Sequence, residues 1–236
     1  VILDCDLLIG RDGTEGRTID PDALHTRLET SGIHGGAVGS LRAIQFDPGT
    51  GNAETLRAAE VHGWFPVLGV HMRNPLEAEA VIDEAAALGV PFVRLALSRN
   101  GIAPTAPRTR IVAGRAADKG VTLLVEGSTS TYGTALMGLG AAVVFLDQHF
   151  YDLGEFIQVA REEPGFHTST RLLGSPDAWE VATEHLGAER LVFGTRAGWF
   201  EEHAVLERLR TSRLTPQQRD LVTEGNLRRL AKGTPR

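Results

Sequence analysis

The 236-residue chain contains one cysteine, Cys5, and only two methionines and two tyrosines. A single cysteine excludes an intrachain disulfide, so a reducing compartment, and with it a cytoplasmic location, is the expectation. No apolar run approaches the ~20 residues of a membrane span. Val1 opens directly on a strand-like run, from which no signal peptide is expected. Positive charge is not in excess: 24 Lys and Arg stand against 30 Asp and Glu, a formal charge of −6. That balance argues against nucleic acid or an anionic membrane as partner. The chain also lacks any His-x-His or His-Glu-x-x-His spacing, low-complexity segment or linker. With 42% hydrophobic residues, it has enough apolar material for one compact domain over 1–236.

Glycine is the punctuation. Helix-like stretches stop at Gly32, Gly63, Gly89, Gly120, Gly140, Gly165 and Gly187, and a short apolar run follows each. Glycine accepts the left-handed conformation that ends many helices, so each is read as a helix stop. Starts are equally legible. Asp20-Pro21, Asn74-Pro75, Ser175-Pro176 and Thr215-Pro216 each place a capping side chain before a proline at the first helical position. Glu77 and Gln218, three residues beyond Asn74 and Thr215, fit a capping box. Helices are further expected over 105–119, 129–139 and, after the last strand, 215–232. With the opening run 1–8 there are eight strand candidates, each followed by a helix candidate. Regular alternation means parallel strands with crossover helices. Eight units predict an α/β fold, a (β/α)8 TIM barrel with an extra C-terminal helix, whose function sits where the strands end.

The first strand carries Asp4-Cys5-Asp6-Leu7-Leu8-Ile9-Gly10, and the eighth unit reads Phe193-Gly194-Thr195-Arg196-Ala197-Gly198. The chain closes with Gly225-Asn226-Leu227-Arg228-Arg229-Leu230. Together these resemble the amidohydrolase superfamily, in its branch of compact metal-dependent hydrolases and decarboxylases. That family has Asp-x-His-x-His-x-Gly on the first strand, Phe-Gly-Ser-Asp-x-Pro on the eighth and Gly-Asn-x-x-x-Leu in the last helix. Gly51-Asn52, placed before the second helix, and Asn74-Pro75 also look like the family.

The resemblance implies a metal site whose ligands this chain does not have. The two first-strand histidines match Asp6 and Leu8, and the fifth-strand histidine matches Glu126. The sixth-strand histidine matches Asp147 or, with a shift, His149; the eighth-strand aspartate matches Arg196. Leu8 ligates nothing, and Arg196 brings a permanent positive charge. No metal and no other cofactor is therefore expected, although Asp6, Glu126 and Asp147 would be chemically acceptable to Mg²⁺ or Mn²⁺.

Two readings of Asp6, Glu126, Asp147 and Arg196 follow. In the first they are catalytic: a carboxylate moves a proton while Arg196 holds a carboxylate-bearing or otherwise anionic substrate, in metal-independent hydrolase or lyase chemistry. His71, Arg94 and His149, also at strand ends, would bind that substrate, with Asp147 and His149 conceivable as a couple. In the second, Arg196 and Arg94 saturate the carboxylates, and the chain is a pseudoenzyme. It would bind a small-molecule ligand, or scaffold an active amidohydrolase-like paralogue or a second copy of itself. Cys5, between Asp4 and Asp6, is read as structural, because both charges raise its thiol pKa.

Overall fold

The computed structural model describes residues 1–233. Strand β1 (Asp4–Arg11) is followed by a two-residue antiparallel strand β2 (Thr18–Ile19) and helix α1 (Pro21–Thr30). Then come β3 (Gly36–Ser40), α2 (Leu41–Gln45), α3 (Pro48–His62), β4 (Phe65–Val70), α4 (Pro75–Leu88) and β5 (Phe92–Leu95). The second half runs α5 (Pro107–Lys119), β6 (Thr122–Val125), α6 (Thr129–Leu136), β7 (Val143–Phe145), α7 (Leu153–Glu162), β8 (Phe166–Ser169), α8 (Ala178–Leu186) and β9 (Leu191–Val192). Helices α9 (His203–Thr211), α10 (Pro216–Asp220) and α11 (Asn226–Ala231) complete the described chain.

Apart from β2, every neighbouring strand pair is parallel, in the order β1-β3-β4-β5-β6-β7-β8-β9. The two ends of that sheet meet: the Cys5 amide donates to the Phe193 carbonyl (2.8 Å) and the Leu8 amide to Ala197 (3.2 Å). The fold is the expected (β/α)8 barrel with an additional C-terminal helix. No described helix is long and apolar enough to cross a membrane.

Alternating side chains divide the core in two. Leu3, Cys5, Ala37, Val67, Phe92, Leu124, Val144 and Val192 fill the barrel, and Leu227 and Leu230 of α11 plug its lower end. The larger cluster lies between strands and helices and includes Leu24 and Leu28 of α1 and Val81 and Ala85 of α4.

Gly63, Gly89 and Gly120 end α3, α4 and α5 with φ of 68°, 69° and 69°, the left-handed stop expected. Asp20 and Asn74 cap α1 and α4, and Thr215 with Gln218 forms the reciprocal capping box. Four expectations are corrected. Gly165 is not a left-handed stop; it is small because a Cβ would lie 2.2 Å from the Ala141 carbonyl. Gly187 is extended in ψ rather than left-handed helical. Helix α8 starts at Ala178 after Asp177, and the Ser175 hydroxyl is spent on the Asp177 carboxylate (3.1 Å). Gly51-Asn52 lies inside α3, where Asn52 brackets Gly69 with two hydrogen bonds to its backbone. The final helical stretch is also not uniform: a π-turn at Leu221–Gly225 joins α10 to α11.

Gly51 is where α3 crosses α2, with room for no side chain: a Cβ there would be 2.3 Å from the Ala43 nitrogen. Gly114 lies within α5 with open space around it. Gly51→Ala is expected to destabilise by about 2 kcal/mol, overpacking outweighing the gain in helix propensity. Gly114→Ala should instead stabilise by roughly 0.5–1 kcal/mol. Denaturant unfolding of the two variants checks both signs.

Candidate functional site

Two strands deliver the inner charges by simple alternation. Phe92 and Leu124 face the barrel interior, so Arg94 and Glu126, two residues on, face it one layer higher. Asp6 arrives by another route. Asp4 pairs with Gly36 and Leu7 with Val38, so three steps of β1 oppose two of β3. This bulge lets consecutive Cys5 and Asp6 both reach the interior, and it leaves the Asp6 amide off the ladder. The buried Asp4 carboxylate accepts from that amide (2.8 Å), from the Thr195 amide (3.1 Å) and from the Thr195 hydroxyl (2.5 Å). Asp4 thereby ties the bulge to the end of β9.

The next residue, Arg196, has φ of 59° and is the one non-glycine residue with positive φ among those described. Such a conformation costs of order 1 kcal/mol and persists only where the surroundings impose it. Here the Ala197 amide donates to the Thr195 hydroxyl (3.0 Å), and the Trp199 and Phe200 amides donate to the Arg196 carbonyl. The constrained turn aims the Arg196 guanidinium into the barrel.

The result is a chain of alternating charges. Glu126 Oε1 accepts from Arg94 Nε (2.9 Å), with Nη2 at 2.7 Å. Arg94 Nη1 donates to Asp6 Oδ1 (2.6 Å), and Arg196 Nε donates to Asp6 Oδ2 (2.8 Å). Arg196 Nη2 lies 2.9 Å from Asp147 Oδ1, which also meets Arg171 Nη2. At the other end Arg99 Nε donates to Glu126 Oε2 (3.2 Å). Asp6, Arg94, Glu126 and Arg196 are buried, whereas the Asp147 and Arg99 side chains are 28% and 29% exposed.

These contacts set the proton affinities. Burial raises the Glu126 carboxyl, but Arg94, Arg196 and Arg99 together overcome it and hold it down at about 2. Arg196 is pushed above its ordinary value by Asp6, Asp147 and Glu126 against the cost of burial. Asp4 behaves oppositely: burial, helped by nearby Asp6, lifts it to about 7 despite its hydrogen bonds to Thr195 and the Asp6 amide. Burial and the flanking carboxylates raise the Cys5 thiol well above its ordinary value, as expected for a structural cysteine.

Among the sequence-predicted residues, Asp6, Arg94, Glu126, Asp147 and Arg196 converge. His149 does not join them: its ring stacks on Tyr151 (centroids 4.3 Å apart), and its buried Nδ1 has no hydrogen-bond partner. It therefore makes no couple with Asp147. His71 sits half-buried after β4 and makes no side-chain contact with the ion chain, so its assignment to substrate binding gains no support from contact. Arg99, Arg171 and Asp4 were missed. Arg171 lies two residues beyond the end of β8, outside the strand-end positions that the alternation pattern picks out. Nothing in the sequence singles out Arg99 in its loop.

The outer arginines carry aromatic rings with them. Arg99 and Arg17 lie over Trp199 (5.9 and 5.5 Å to the ring centre), and Arg171 lies over Phe200 (5.3 Å). Beside them a cavity of about 550 Å³ is lined by Arg99, Arg11, Arg42, Thr14, Gln45 and Phe46.

Neither a protein-family profile nor a curated protein matches the chain. Solved structures do. 5-Carboxyvanillate decarboxylase from Sphingomonas paucimobilis superposes with a TM-score of 0.72 over 99% of both chains at 12% identity. A Pseudomonas putida protein proposed to be a 2-pyrone-4,6-dicarboxylic acid hydrolase gives 0.76 over 98% of this chain and 97% of its own, at 17% identity. A dihydroxybenzoic acid decarboxylase from Polaromonas, solved with bound manganese and 2-nitroresorcinol, gives 0.67 over 98% and 97% at 14% identity. This chain has their fold. The likeness in fold to these decarboxylases and to the hydrolase extends over nearly the whole chain.

The residues at the mouth do not fit a metal of the kind the Polaromonas structure holds. Both Asp6 oxygens accept from guanidinium groups, Leu8 has no ligating atom, and Arg94 and Arg196 occupy the space between the carboxylates. Among the described residues, one group of three potential ligands lies close together, Glu201, Glu202 and His203, and both its glutamates already pair with Arg27.

Removing one partner from a buried pair strands the other, at a cost of about 3–5 kcal/mol. Arg94→Met is expected to destabilise by that amount, measured by denaturant unfolding. The pH dependence separates the carboxyls. Glu126 has its folded pKa lowered to about 2, so its contribution is full above the unfolded value of 4.5 and is lost as pH falls from there towards 2. Asp4 has its pKa raised from 3.8 to about 7, so its contribution is full below 3.8 and is lost as pH rises towards 7. Glu126→Gln should flatten the acid limb of the stability profile, and Asp4→Asn should remove a decline between pH 4 and 7.

Proposed function

We propose that the chain binds a small planar carboxylate at the mouth of the barrel and is a non-catalytic relative of barrels that process such molecules. The observation that carries the reading is the surplus of guanidinium. Four arginines surround three carboxylates, and the two outer ones, Arg99 and Arg171, are partly exposed and lie over aromatic rings. A guanidinium beside an aromatic ring suits a flat anion: the fork takes the carboxylate while the ring covers the ligand face. The solved barrels of similar shape include proteins whose names specify carboxyvanillate and pyrone dicarboxylate, which supports the ligand class.

The inner residues hold charge and position without moving protons. Glu126 is too acidic to serve as a base near neutrality, and each Asp6 oxygen is already occupied. Arg94 and Arg196 stay protonated throughout the useful pH range. Their role is to fix Asp147 and Glu126, which in turn hold Arg171 and Arg99 at the mouth.

A second reading, metal-independent lyase or hydrolase chemistry, is favoured by one feature. Asp147, unlike Asp6 and Glu126, reaches solvent, so it is the carboxylate through which a proton could be exchanged with a substrate held by Arg196 and Arg171.

Isophthalate titrated into the protein by calorimetry is expected to bind, and benzamide is not. Arg99→Gln should weaken isophthalate by roughly tenfold or more, the worth of a charge-assisted hydrogen bond. Absence of isophthalate binding overturns the proposal. Decarboxylation of 5-carboxyvanillate or ring opening of 2-pyrone-4,6-dicarboxylate, abolished by Asp147→Asn, would replace it by the enzyme reading. In the same preparations elemental analysis should find no stoichiometric zinc or manganese, and a chelator should leave the melting temperature unchanged; one tightly held ion per chain refutes the guanidinium-filled site.

A further inference from the structure

Beside the mouth, the cavity of about 550 Å³ lies between the hairpin that joins β1 to β2 and helix α2. Its wall contains three guanidinium groups, Arg11, Arg42 and Arg99, and no carboxylate. Arg11 and Arg42 take no part in the ion chain of the mouth, and Arg171 and Asp147 take no part in this wall.

The wall rests on a stiffened turn. The Asp12 carboxylate, next to Arg11, is spent on its own loop: it accepts from the Thr14 hydroxyl (2.8 Å), the Thr14 amide (3.0 Å) and the Glu15 amide (3.2 Å). The Gly13 amide donates to Gln45 Oε1 (2.6 Å), and a Cβ on Gly13 would fall 2.9 Å from the Phe46 ring. The hairpin carrying Arg11 is thereby fastened to the helix carrying Arg42.

Each guanidinium keeps donors in reserve. Arg42 Nε lies 3.0 Å from Glu54 Oε1, and Arg99 Nε donates to Glu126 Oε2 (3.2 Å). Both contacts run through Nε, and among the described residues no terminal nitrogen of the three arginines makes a hydrogen bond. Arg11 has no described carboxylate within ion-pair distance. Two of the charges are balanced from behind and the third is not. Phe46, 49% exposed and 5.7 Å from the Arg42 guanidinium, supplies the apolar part of the wall.

We propose that this cavity binds an aromatic ligand bearing a tetrahedral oxyanion, a phosphoryl or sulfo group. The three guanidinium groups stand on three different elements and meet a bound anion from different directions. A carboxylate has two oxygens in one plane, which a single guanidinium fork satisfies; a tetrahedral group offers three oxygens, one to each arginine. The ring of the ligand lies against Phe46. The volume exceeds what the anionic group alone would fill and falls in the range of small-molecule pockets. Of these arginines only Arg99 also serves the planar carboxylate proposed at the mouth, so Arg11 and Arg171 tell the two sites apart.

The test titrates phenyl phosphate, phenyl sulfate and methyl phosphate at pH 7.5 into the whole chain, by calorimetry and backbone amide NMR shifts, with isophthalate in parallel. Saturable binding of a phenyl ester is expected, with shifts at Gly13, Thr14 and Phe46, and methyl phosphate at least tenfold weaker. The tighter of the two phenyl esters identifies a phosphoryl or a sulfo group. Arg11→Gln should weaken that ester tenfold or more, and Phe46→Ala should remove most of its lead over methyl phosphate. Arg171→Gln, across the mouth, should weaken isophthalate and leave the phenyl esters unchanged. No saturation by either phenyl ester at millimolar concentration, equal affinity for methyl phosphate, or a loss in Arg171→Gln in place of Arg11→Gln would each overturn the proposal. Isophthalate failing to bind where a phenyl ester binds overturns the planar-carboxylate reading alone. Arg11 and Phe46 are both exposed, so neither substitution disturbs the core.

Discussion

Asp6 accepts from a different arginine with each of its two oxygens, deep inside a barrel. That contact governs the upper half of the molecule. A carboxylate at this depth is costly unless paired, and one guanidinium would leave an oxygen unsatisfied. Arg94 and Arg196 satisfy both, but two buried cations then need further anions, and Glu126 and Asp147 supply them. The alternation continues until Arg99 and Arg171 bring it to solvent, where residual charge is inexpensive. Desolvation thus explains why the charges come as a chain running from the interior to the rim rather than as a single pair.

The architecture was legible because backbone geometry writes itself into glycine, proline and capping residues. Gly63, Gly89 and Gly120 are left-handed helix stops, and Asp20, Asn74 and Thr215 are caps, since few other residues do those jobs. Where the reading failed, a non-local contact had set the residue. Gly165 is small on account of the Ala141 carbonyl and Gly51 on account of α2, neither visible in the local pattern. The members of the site were also readable, because two-residue alternation along a strand places Arg94 above Phe92 and Glu126 above Leu124. Their pairing was not. Which oxygen meets which nitrogen depends on side-chain reach across the barrel, and the bulge that delivers Asp6 is a register shift between β1 and β3. Asp4 went unnoticed as a determinant for the same reason: its partners are an amide released by that bulge and a threonine almost the whole chain away.

The two ends of the barrel treat arginine differently, and the difference is chemical. At the mouth, guanidinium groups meet carboxylates, so the inner part of the network is closed and its charge is available only at the rim. At the lower end, Arg190 and Arg229 meet backbone carbonyls, which satisfy hydrogen-bonding geometry without forming an ion pair. Carbonyl-held arginine is oriented by dipoles alone, whereas carboxylate-held arginine is neutralised as well as oriented. Arg99 and Arg171 belong to an intermediate class, anchored by a carboxylate on one side and open to a ring and solvent on the other.

The same distinction bears on what can replace a metal ion at the centre of such a barrel. A pair of guanidinium groups carries the charge of one divalent cation and draws carboxylates around it, as Arg94 and Arg196 do in the upper barrel. A guanidinium does not reproduce the chemistry: it has no open coordination position, and its pKa lies far too high to exchange protons near neutrality. It also projects from a fixed side chain, and here the Arg196 backbone is held at φ 59° to deliver it. Asp4, Thr195 and the following amides keep that conformation in place, so these contacts support the architecture of the mouth without touching anything bound there. The structural consequence is a rigid, pre-charged rim.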